Sequence, residues 1–406
     1  MRYLFVHQNF PGQYLHFIRH LLADHANEIV FLSEPNENAI PGVRRIVYQK
    51  PAPGHPSLHP GIRELDMAMR RAEVAAGLAR NLRGLGFTPD VIIGHHGWGE
   101  MLDLVDVWPA TKLLGYFEFY YQTAGQDVGF DPEFPVDASQ FPRIRAMNGI
   151  NLLALALHQH GQTPTRWQLT RYPEWAQQQI SVLPEGARLD VCRPDPKLYE
   201  ERFALGSFVV MPNEKLVTYV ARNLEPYRGF HVMMRALPAL LKARPDLKVV
   251  LVGGDEVSYG ARLADTTWRA YFQRELAGKY DAARVLLPGQ LAYADYLRLL
   301  QRSDAHVYLS YPFVASWSLR EALACGCAVV AADVEPVREF VTHNRNGWLT
   351  PALDPKALAD SVLQVLEDAK LNRRLRGGAR RHAERHLDMD QHIAALTAKV
   401  AEITGG

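Results

Sequence analysis

Short apolar runs alternate with longer stretches of helical periodicity along the whole chain. In the first half the runs at residues 3–6, 28–32, 44–48, 91–93, 112–117 and 180–183 read as strands. Residues 62–85 and 144–157 read as helices, and 162–178 as a mixed helical stretch. The run at 3–6 is apolar on both faces, as buried parallel strands are. The second half gives strands at 216–220, 248–252, 285–287, 305–309, 328–331 and 347–349. Its helices fall at 230–241, from 266 onward, and at 293–302, 336–341, 355–366, 371–386 and 389–403. Such alternation predicts βαβ units and parallel sheets. A composition break at Pro184-Glu185-Gly186-Ala187 and Arg193-Pro194-Asp195-Pro196 separates the halves, and 406 residues suit two domains better than one core. The expected division falls at this break, between residues 185 and 186. The halves repeat one architecture, which makes their cleft the default active site.

Ligands of open α/β sheets gather beyond the carboxyl ends of strands, so the residues there carry the candidate chemistry. The first strand runs into Asn9-Phe10-Pro11-Gly12-Gln13. Gly12 either admits a ligand close to the backbone or makes a plain tight turn. Neither half carries the full dinucleotide fingerprint after its first strand, which argues against a dehydrogenase. Gly94-His95-His96-Gly97-Trp98-Gly99-Glu100 places histidines between glycines. There His96 either meets a substrate hydroxyl or phosphate, or caps the next helix. Glu118, Tyr120 and Tyr121 open an irregular loop at 122–142 and suit either sugar stacking and hydroxyl recognition or surface packing.

In the second half Arg222 and Arg228 share a strand-to-helix loop, where arginines fork onto phosphate oxygens or stand solvated. Gly253-Gly254-Asp255 and Gly289-Gln290-Leu291 follow two further strands. Residues 308–331 read as strand, polar turn (Ser316-Trp317-Ser318), helix through Leu319 and Glu321, then strand. That unit holds an anion at a helix N-terminus. Ser318-Leu319-Arg320-Glu321 also fits a capping box, which would turn Glu321 back onto its own backbone.

Composition narrows the classes. With 48% hydrophobic and 22% charged residues and a formal net charge of +1, nothing global favours nucleic acid. Three cysteines are too few for a disulfide framework and are expected to be small buried residues. No run approaches the ~18 apolar residues of a membrane span, and Met1-Arg2 opens onto too short an apolar run for a signal peptide. The expectation is a cytoplasmic protein, with peripheral membrane contact left open. The lone Asp-x-Asp, Asp388-Met389-Asp390, reads as a helix N-cap, so no metal is implied.

Taken in order, these residues resemble the family 4 glycosyltransferases, retaining enzymes with the two-domain B-type fold. Leu183-Pro184-Glu185-Gly186 resembles the family's Pro-Asn-Gly linker. Arg222 and Arg228 resemble its Arg and Lys that clamp the donor diphosphate, and Gly253-Gly254-Asp255 and Gly289-Gln290-Leu291 its two loops around the donor nucleoside. Glu321-Ala322-Leu323-Ala324-Cys325-Gly326 followed by Ala328-Val329 resembles its Glu-Ala-x-Ala-x-Gly-x-Pro-Val signature, whose glutamate holds the donor ribose. Gly12 matches the glycine of its first loop, and His96-Gly97-Trp98 resembles its His-Asp-Trp near the reacting sugar. Two departures stand out. The family carries two glutamates separated by seven residues, and the first position falls on Phe313; the spacing from Arg222 to Arg228 is about one residue longer than the family's.

The resemblance implies two Rossmann-like domains facing across a cleft, an N-terminal one for the acceptor (1–185, joined by the closing segment 389–406) and a C-terminal one for the donor (186–388). It assigns His96, Arg222 and Arg228 to catalysis and Glu118, Tyr120 and Tyr121 to the acceptor. It assigns Gly12, Gly253, Gly254, Gln290, Leu291, Ser316, Trp317, Ser318, Leu319 and Glu321 to the donor. The implied reaction is metal-independent, retaining transfer of a sugar from a nucleotide-diphosphate sugar to a saccharide or lipid-linked acceptor. Surface polysaccharide or glycoconjugate synthesis is the expected setting, with acceptors at the inner membrane face. The nucleotide sugar is then a substrate rather than a tightly bound cofactor, and no nucleic acid partner is expected. The competing readings are a nucleotide-sugar 2-epimerase and a catalytically inactive nucleotide- or glycan-binding module.

Overall fold

The computed structural model describes residues 1–157 and 159–405; His158 and Gly406, the last residue of the expected closing segment, lie outside the described residues. The chain divides into two compact units. Met1–Gly129, Phe134–Glu185 and Met389–Gly406 form the first; Phe130–Glu133 and Gly186–Asp388 form the second.

In the first unit β1 (Arg2–Val6), β2 (Glu28–Ser33), β3 (Val43–Val47), β4 (Val91–His95), β5 (Lys112–Tyr116), β6 (His160–Thr163) and β7 (Ile180–Val182) make one sheet of order β3-β2-β1-β4-β5-β6-β7. Every pairing in it is parallel. Alternate residues of the central strands feed two separate cores, Leu4, Val6, Val30 and Ile92 on one face and Tyr3, Phe5, Phe31 and Ile93 on the other. The helix Arg63–Gly84 covers the first face through Ala75, Ala76, Ala79 and Leu82. Phe17 and Ile18 of the helix Leu15–Leu21, with Leu396, Val400 and Ile403 of the helix Met389–Thr404, cover the second. The closing helix therefore returns to the first unit.

Two local expectations change. Strand β6 begins before the stretch expected to be helical and overlaps its start, and the helices within that stretch are only Arg166–Arg171 and Glu174–Gln177. Its sequence, His160-Gly161-Gln162-Thr163, carries no apolar signal; Gly161 is what lets it pack, since a Cβ there would lie 2.8 Å from Ile180 and 2.9 Å from Phe117. The helix expected at 144–157 is two helices, Phe141–Ala146 and Gly149–Ala156. Asn148 sits at the break and spends its amide on the Tyr121 backbone, accepting from its N–H at 2.8 Å and donating to its carbonyl at 2.7 Å.

The second unit opens with an antiparallel hairpin, β8 (Phe203–Leu205) and β9 (Phe208–Val210), which the periodicity does not reveal. Its main sheet holds β10 (Lys215–Asn223), β11 (Leu247–Gly254), β12 (Val285–Gly289), β13 (Ala305–Tyr308), β14 (Val329–Ala332) and β15 (Trp348–Thr350) in the order β12-β11-β10-β13-β14-β15, all parallel. Both sheets reverse direction of growth at their first strand, between β1 and β4 and between β10 and β13. Such switch points open a crevice at the carboxyl ends of the strands. All three cysteines are buried. No helix among the described residues is long and apolar enough to cross a membrane.

Candidate functional site

The switch point of the second unit gathers the chemistry. After β10 the chain turns through Pro226–Arg228 to Gly229, whose φ of +71° and whose missing Cβ, which would lie 2.3 Å from that of Leu309, make it a position only glycine fits. This turn drives Arg228 inward to 8% exposure. Its Nη1 donates to Ser310 Oγ at 3.0 Å and to the Val314 carbonyl at 3.2 Å, in the loop that follows β13. Its guanidinium lies over the rings of Tyr259, 5.0 Å away, and Phe313, 5.8 Å away. Tyr227, Tyr259 and Phe313 pack edge to face and tilted at centroid distances of 4.7 to 5.4 Å, so the cation stands against an aromatic wall. Among the described residues no carboxylate comes within ion-pair distance of it; its ionisable neighbours are tyrosines.

Glu225 builds that wall. Fully buried, it accepts from the backbone N–H groups of Ser258 at 3.1 Å, Tyr259 at 3.3 Å and Gly260 at 2.9 Å, and so fixes the loop that carries Tyr259. Arg222, by contrast, lies exposed near the end of β10, and among the described residues its side chain makes no hydrogen bond or ion pair.

Beyond Phe313 the helix Trp317–Ala324 starts at an N-cap formed by Ser316, whose Oγ accepts from the Ser318 N–H at 3.3 Å. Tyr308 Oη accepts from the Ser316 N–H at 2.8 Å. Leu319 N–H closes the first turn on the Ser316 carbonyl at 3.1 Å, while Trp317 lies half exposed. The helix cap thus falls two residues before Ser318, and the capping-box expectation is corrected: Glu321 lies too far along to reach back. Instead its Oε1 accepts from Tyr293 at 2.8 Å and its Oε2 from Tyr296 at 2.6 Å. Burial pushes its carboxyl above the ordinary value, and the two tyrosine hydroxyls pull the other way.

Gly253 and Gly254 end β11 against the turn after β10: a Cβ on Gly254 would lie 2.6 Å from Asn223 Oδ1 and 3.3 Å from Gln290 Nε2. Gln290 is exposed beside it, and Leu291 packs partly into the core. Arg228, Ser316 to Leu319, Gly254, Gln290 and Glu321 therefore all stand at the carboxyl ends of the strands of one sheet.

In the first unit His7 follows β1 and His95 ends β4, their ring centroids 5.3 Å apart at the switch point. Gly12, at φ +56°, lays its backbone on the His7 ring, where a Cβ would come within 3.0 Å. His95 Nδ1 accepts from the Gly97 N–H at 3.1 Å, its Nε2 faces Glu118 Oε2 at 3.3 Å, and Trp98 stacks on it at 5.7 Å. His96 points the other way. It is fully buried, donates from Nε2 to the Ile150 carbonyl at 2.7 Å and stacks on Phe117. Burial lowers its pKa to about 4, and these contacts make His96 a neutral packing residue rather than the substrate-facing histidine expected from the sequence. Tyr120 packs on Tyr172 within a core cluster and Tyr121 on Phe119, as surface packing would have them; of that trio only Glu118 turns its side chain to the histidines.

Comparison with known proteins now bears on this geometry. Residues 25–192 match the family described as glycosyl transferase family 4 group, and residues 207–382 match glycosyl transferases group 1. The chain belongs to the family 4 glycosyltransferases. A D-inositol 3-phosphate glycosyltransferase from Jonesia denitrificans is 31% identical over 217 residues, 51% of this chain and 48% of that one. A phosphatidyl-myo-inositol mannosyltransferase from Mycolicibacterium smegmatis is 31% identical over 162 residues, 39% of this chain and 37% of that one. The chain thus spans half or less of the length of these curated relatives. The fold matches sucrose-phosphate synthase from Thermosynechococcus elongatus with a TM-score of 0.72 at 18% identity, covering 100% of this chain and 99% of that one. It matches Anabaena HepE in complex with UDP and glucose with a TM-score of 0.68 at 17% identity, covering 99% of each.

For a family 4 glycosyltransferase, three features here were not read from the sequence. Glu225 lies inside the Arg222-to-Arg228 loop, and its position between two arginines was the available signal. The Tyr293 and Tyr296 pair on Glu321 joins residues far apart in the chain and left none. Asp131 and Glu133 leave the irregular loop to join the second unit: Asp131 Oδ2 accepts from Tyr311 at 2.6 Å and meets His231 Nε2 at 3.0 Å, and Glu133 is held by Arg235. These carboxylates and His231 bring ligand-type atoms within 4.8 Å of one another, but both Glu133 oxygens are taken by the Arg235 guanidinium, which makes the group a polar tie.

Proposed function

We propose that this protein transfers a sugar from a nucleoside-diphosphate sugar to a hydroxyl acceptor with retention at the anomeric carbon. The observation that carries the reading is Arg228, a guanidinium buried at a sheet switch point with no carboxylate among the described residues to neutralise it. A buried cation of this kind is costly alone and suits an anionic ligand. The N-terminus of the helix Trp317–Ala324 stands across the same loop and adds N–H groups and a positive dipole end.

As the bond from sugar to diphosphate breaks, negative charge grows on the leaving oxygen, and fixed cations and N–H groups stabilise it most. In this reading Arg228 is the preorganised half of the clamp and Arg222, exposed and unpaired in this structure, closes on the other phosphate. Loss of one such contact costs on the order of 2–4 kcal/mol of transition-state stabilisation. Gly254 and Gln290 border the base, and Glu321 takes the ribose. The leaving phosphate accepts the acceptor proton, which accords with the absence of an assigned base. In the first unit His95 and Glu118 offer a polar pair to the sugar or the acceptor hydroxyl.

The names of the curated relatives support an inositol phosphate or a phosphatidylinositol as the acceptor class. The UDP held by the similarly folded HepE supports a uridine donor among those to be tried. The test is turnover of UDP-, GDP- and ADP-sugars with D-inositol 3-phosphate, phosphatidylinositol and simple saccharides. Donor consumption that needs an acceptor supports transfer, and acceptor-free interconversion points to the epimerase. Phe313 in place of the family's first glutamate favours one second reading, a binding module, which predicts donor binding without turnover.

A further inference from the structure

The helix Tyr293–Arg302 places Tyr293 and Tyr296 one turn apart on a single face, their rings 5.8 Å from one another. Both hydroxyls donate to one carboxylate, each to a different oxygen of Glu321. Tyr296 is nearly buried at 9% exposure, whereas Tyr293 stands half in solvent at 53%. Behind Tyr293, the Cys192 thiol lies 3.6 Å from its hydroxyl. A carboxylate has about four acceptor positions on its two oxygens. With one position of each oxygen taken by a tyrosine, the carboxylate plane is fixed and one further position per oxygen remains, a match for two adjacent hydroxyl donors.

We propose that Tyr293 and Tyr296 are positioning residues that orient Glu321 toward the vicinal hydroxyls of a ribose, so that this chain selects ribonucleoside over 2′-deoxyribonucleoside diphosphates through a tyrosine-braced carboxylate. This rests on the donor reading of the second unit. A free carboxylate on a helix surface samples several rotamers and gains less from a diol than one already held. The bracing donors also oppose the burial that pushes Glu321 toward its protonated form, in which it would present a donor to the ribose. A purely structural tie between two helices would account for the same two hydrogen bonds, but it predicts no dependence on the sugar of the nucleotide.

The experiment is isothermal titration of the full chain with UDP and 2′-deoxy-UDP, and with GDP and 2′-deoxy-GDP, for the wild type, Tyr293→Phe and Tyr296→Phe. The wild type is expected to prefer the ribose form of its nucleotide by about tenfold or more. Each variant should lower that preference several-fold while binding the deoxy form as the wild type does. Tyr293 is half exposed, so its variant retains the fold and carries the test even if Tyr296→Phe does not. An unchanged preference in the folded variants overturns the proposal and leaves the donor reading standing. A wild type that binds none of the four nucleotides overturns both.

Discussion

Arg228 lies with its guanidinium 5.8 Å over the ring of Phe313, the residue that stands where the family carries a glutamate. A carboxylate there would sit against a buried cation and neutralise it; a ring holds the cation without competing for it. The replacement and the absence of an ion pair on Arg228 are therefore two sides of one arrangement. Phe313→Glu is expected to lower nucleoside-diphosphate affinity by about tenfold, while Phe313→Leu, which cannot pair, costs less. Titration of both variants with the nucleotide that the wild type binds checks the order; Phe313→Glu binding as tightly as the wild type contradicts it.

Glu225 reaches Arg228 through the chain it fixes. Its carboxylate takes three backbone N–H groups of residues 258–260, and Tyr259 follows. Glu225→Ala takes the shared acceptor from three part-buried donors and empties a buried position, a loss of about 1–3 kcal/mol in urea unfolding. Donor KM should rise at the same time, because the ring over Arg228 is released. A stability loss with donor KM unchanged would show that the loop does not support the site.

Gly229 is the hinge that buries Arg228. Gly229→Ala combines an unfavourable φ of +71° with a Cβ 2.3 Å from that of Leu309, an atom fixed to the backbone rather than the far end of a flexible side chain. The expected cost is about 2–5 kcal/mol, measured by thermal or chemical unfolding. Stability within a few tenths of a kcal/mol of wild type would mean that the turn is built differently.

The buried histidines set an acid-side slope. Burial holds His96 at about 4, and burial with the neighbouring His95 holds His7 at about 3. An unfolded chain protonates histidine near the ordinary ~6.5, so between that pH and the folded values the unfolded state binds more protons and stability falls as pH falls. His96→Gln removes that residue's share, about 2–3 kcal/mol between pH 6.5 and 4. Glu100, raised by burial, works in the opposite direction and is common to both proteins. Urea midpoints across that range should fall less steeply in the variant; an equally steep fall contradicts a neutral His96.

How much the sequence discloses follows from where each signal is stored. Buried strands such as β1, β4 and β10 announce themselves because parallel strands are apolar on both faces. Strand β6 does not, because its place is secured by the absence of a side chain at Gly161 rather than by hydrophobicity. Arg228 and Gly254 were legible as candidates because they sit in loops at strand ends, and Glu321 because it opens the Glu-Ala-x-Ala-x-Gly pattern that carries the family resemblance. The choice between His95 and His96 was not, since adjacent residues on a strand end point to opposite sides and a one-residue difference in where β4 stops decides which faces the ligand end. Long-range polar partners, such as Glu225 with residues 258–260 and Glu321 with Tyr293 and Tyr296, are set by tertiary packing and leave no local pattern.

The central claim is that Arg228 is the fixed cation of a diphosphate site, and its most direct measurement is donor turnover by Arg228→Met, which keeps the stem inside the aromatic wall and removes the charge. With folding confirmed by circular dichroism, the expected result is a fall in kcat of about 10²–10³-fold at saturating donor. Turnover by a folded Arg228→Met near the wild-type rate would contradict the account.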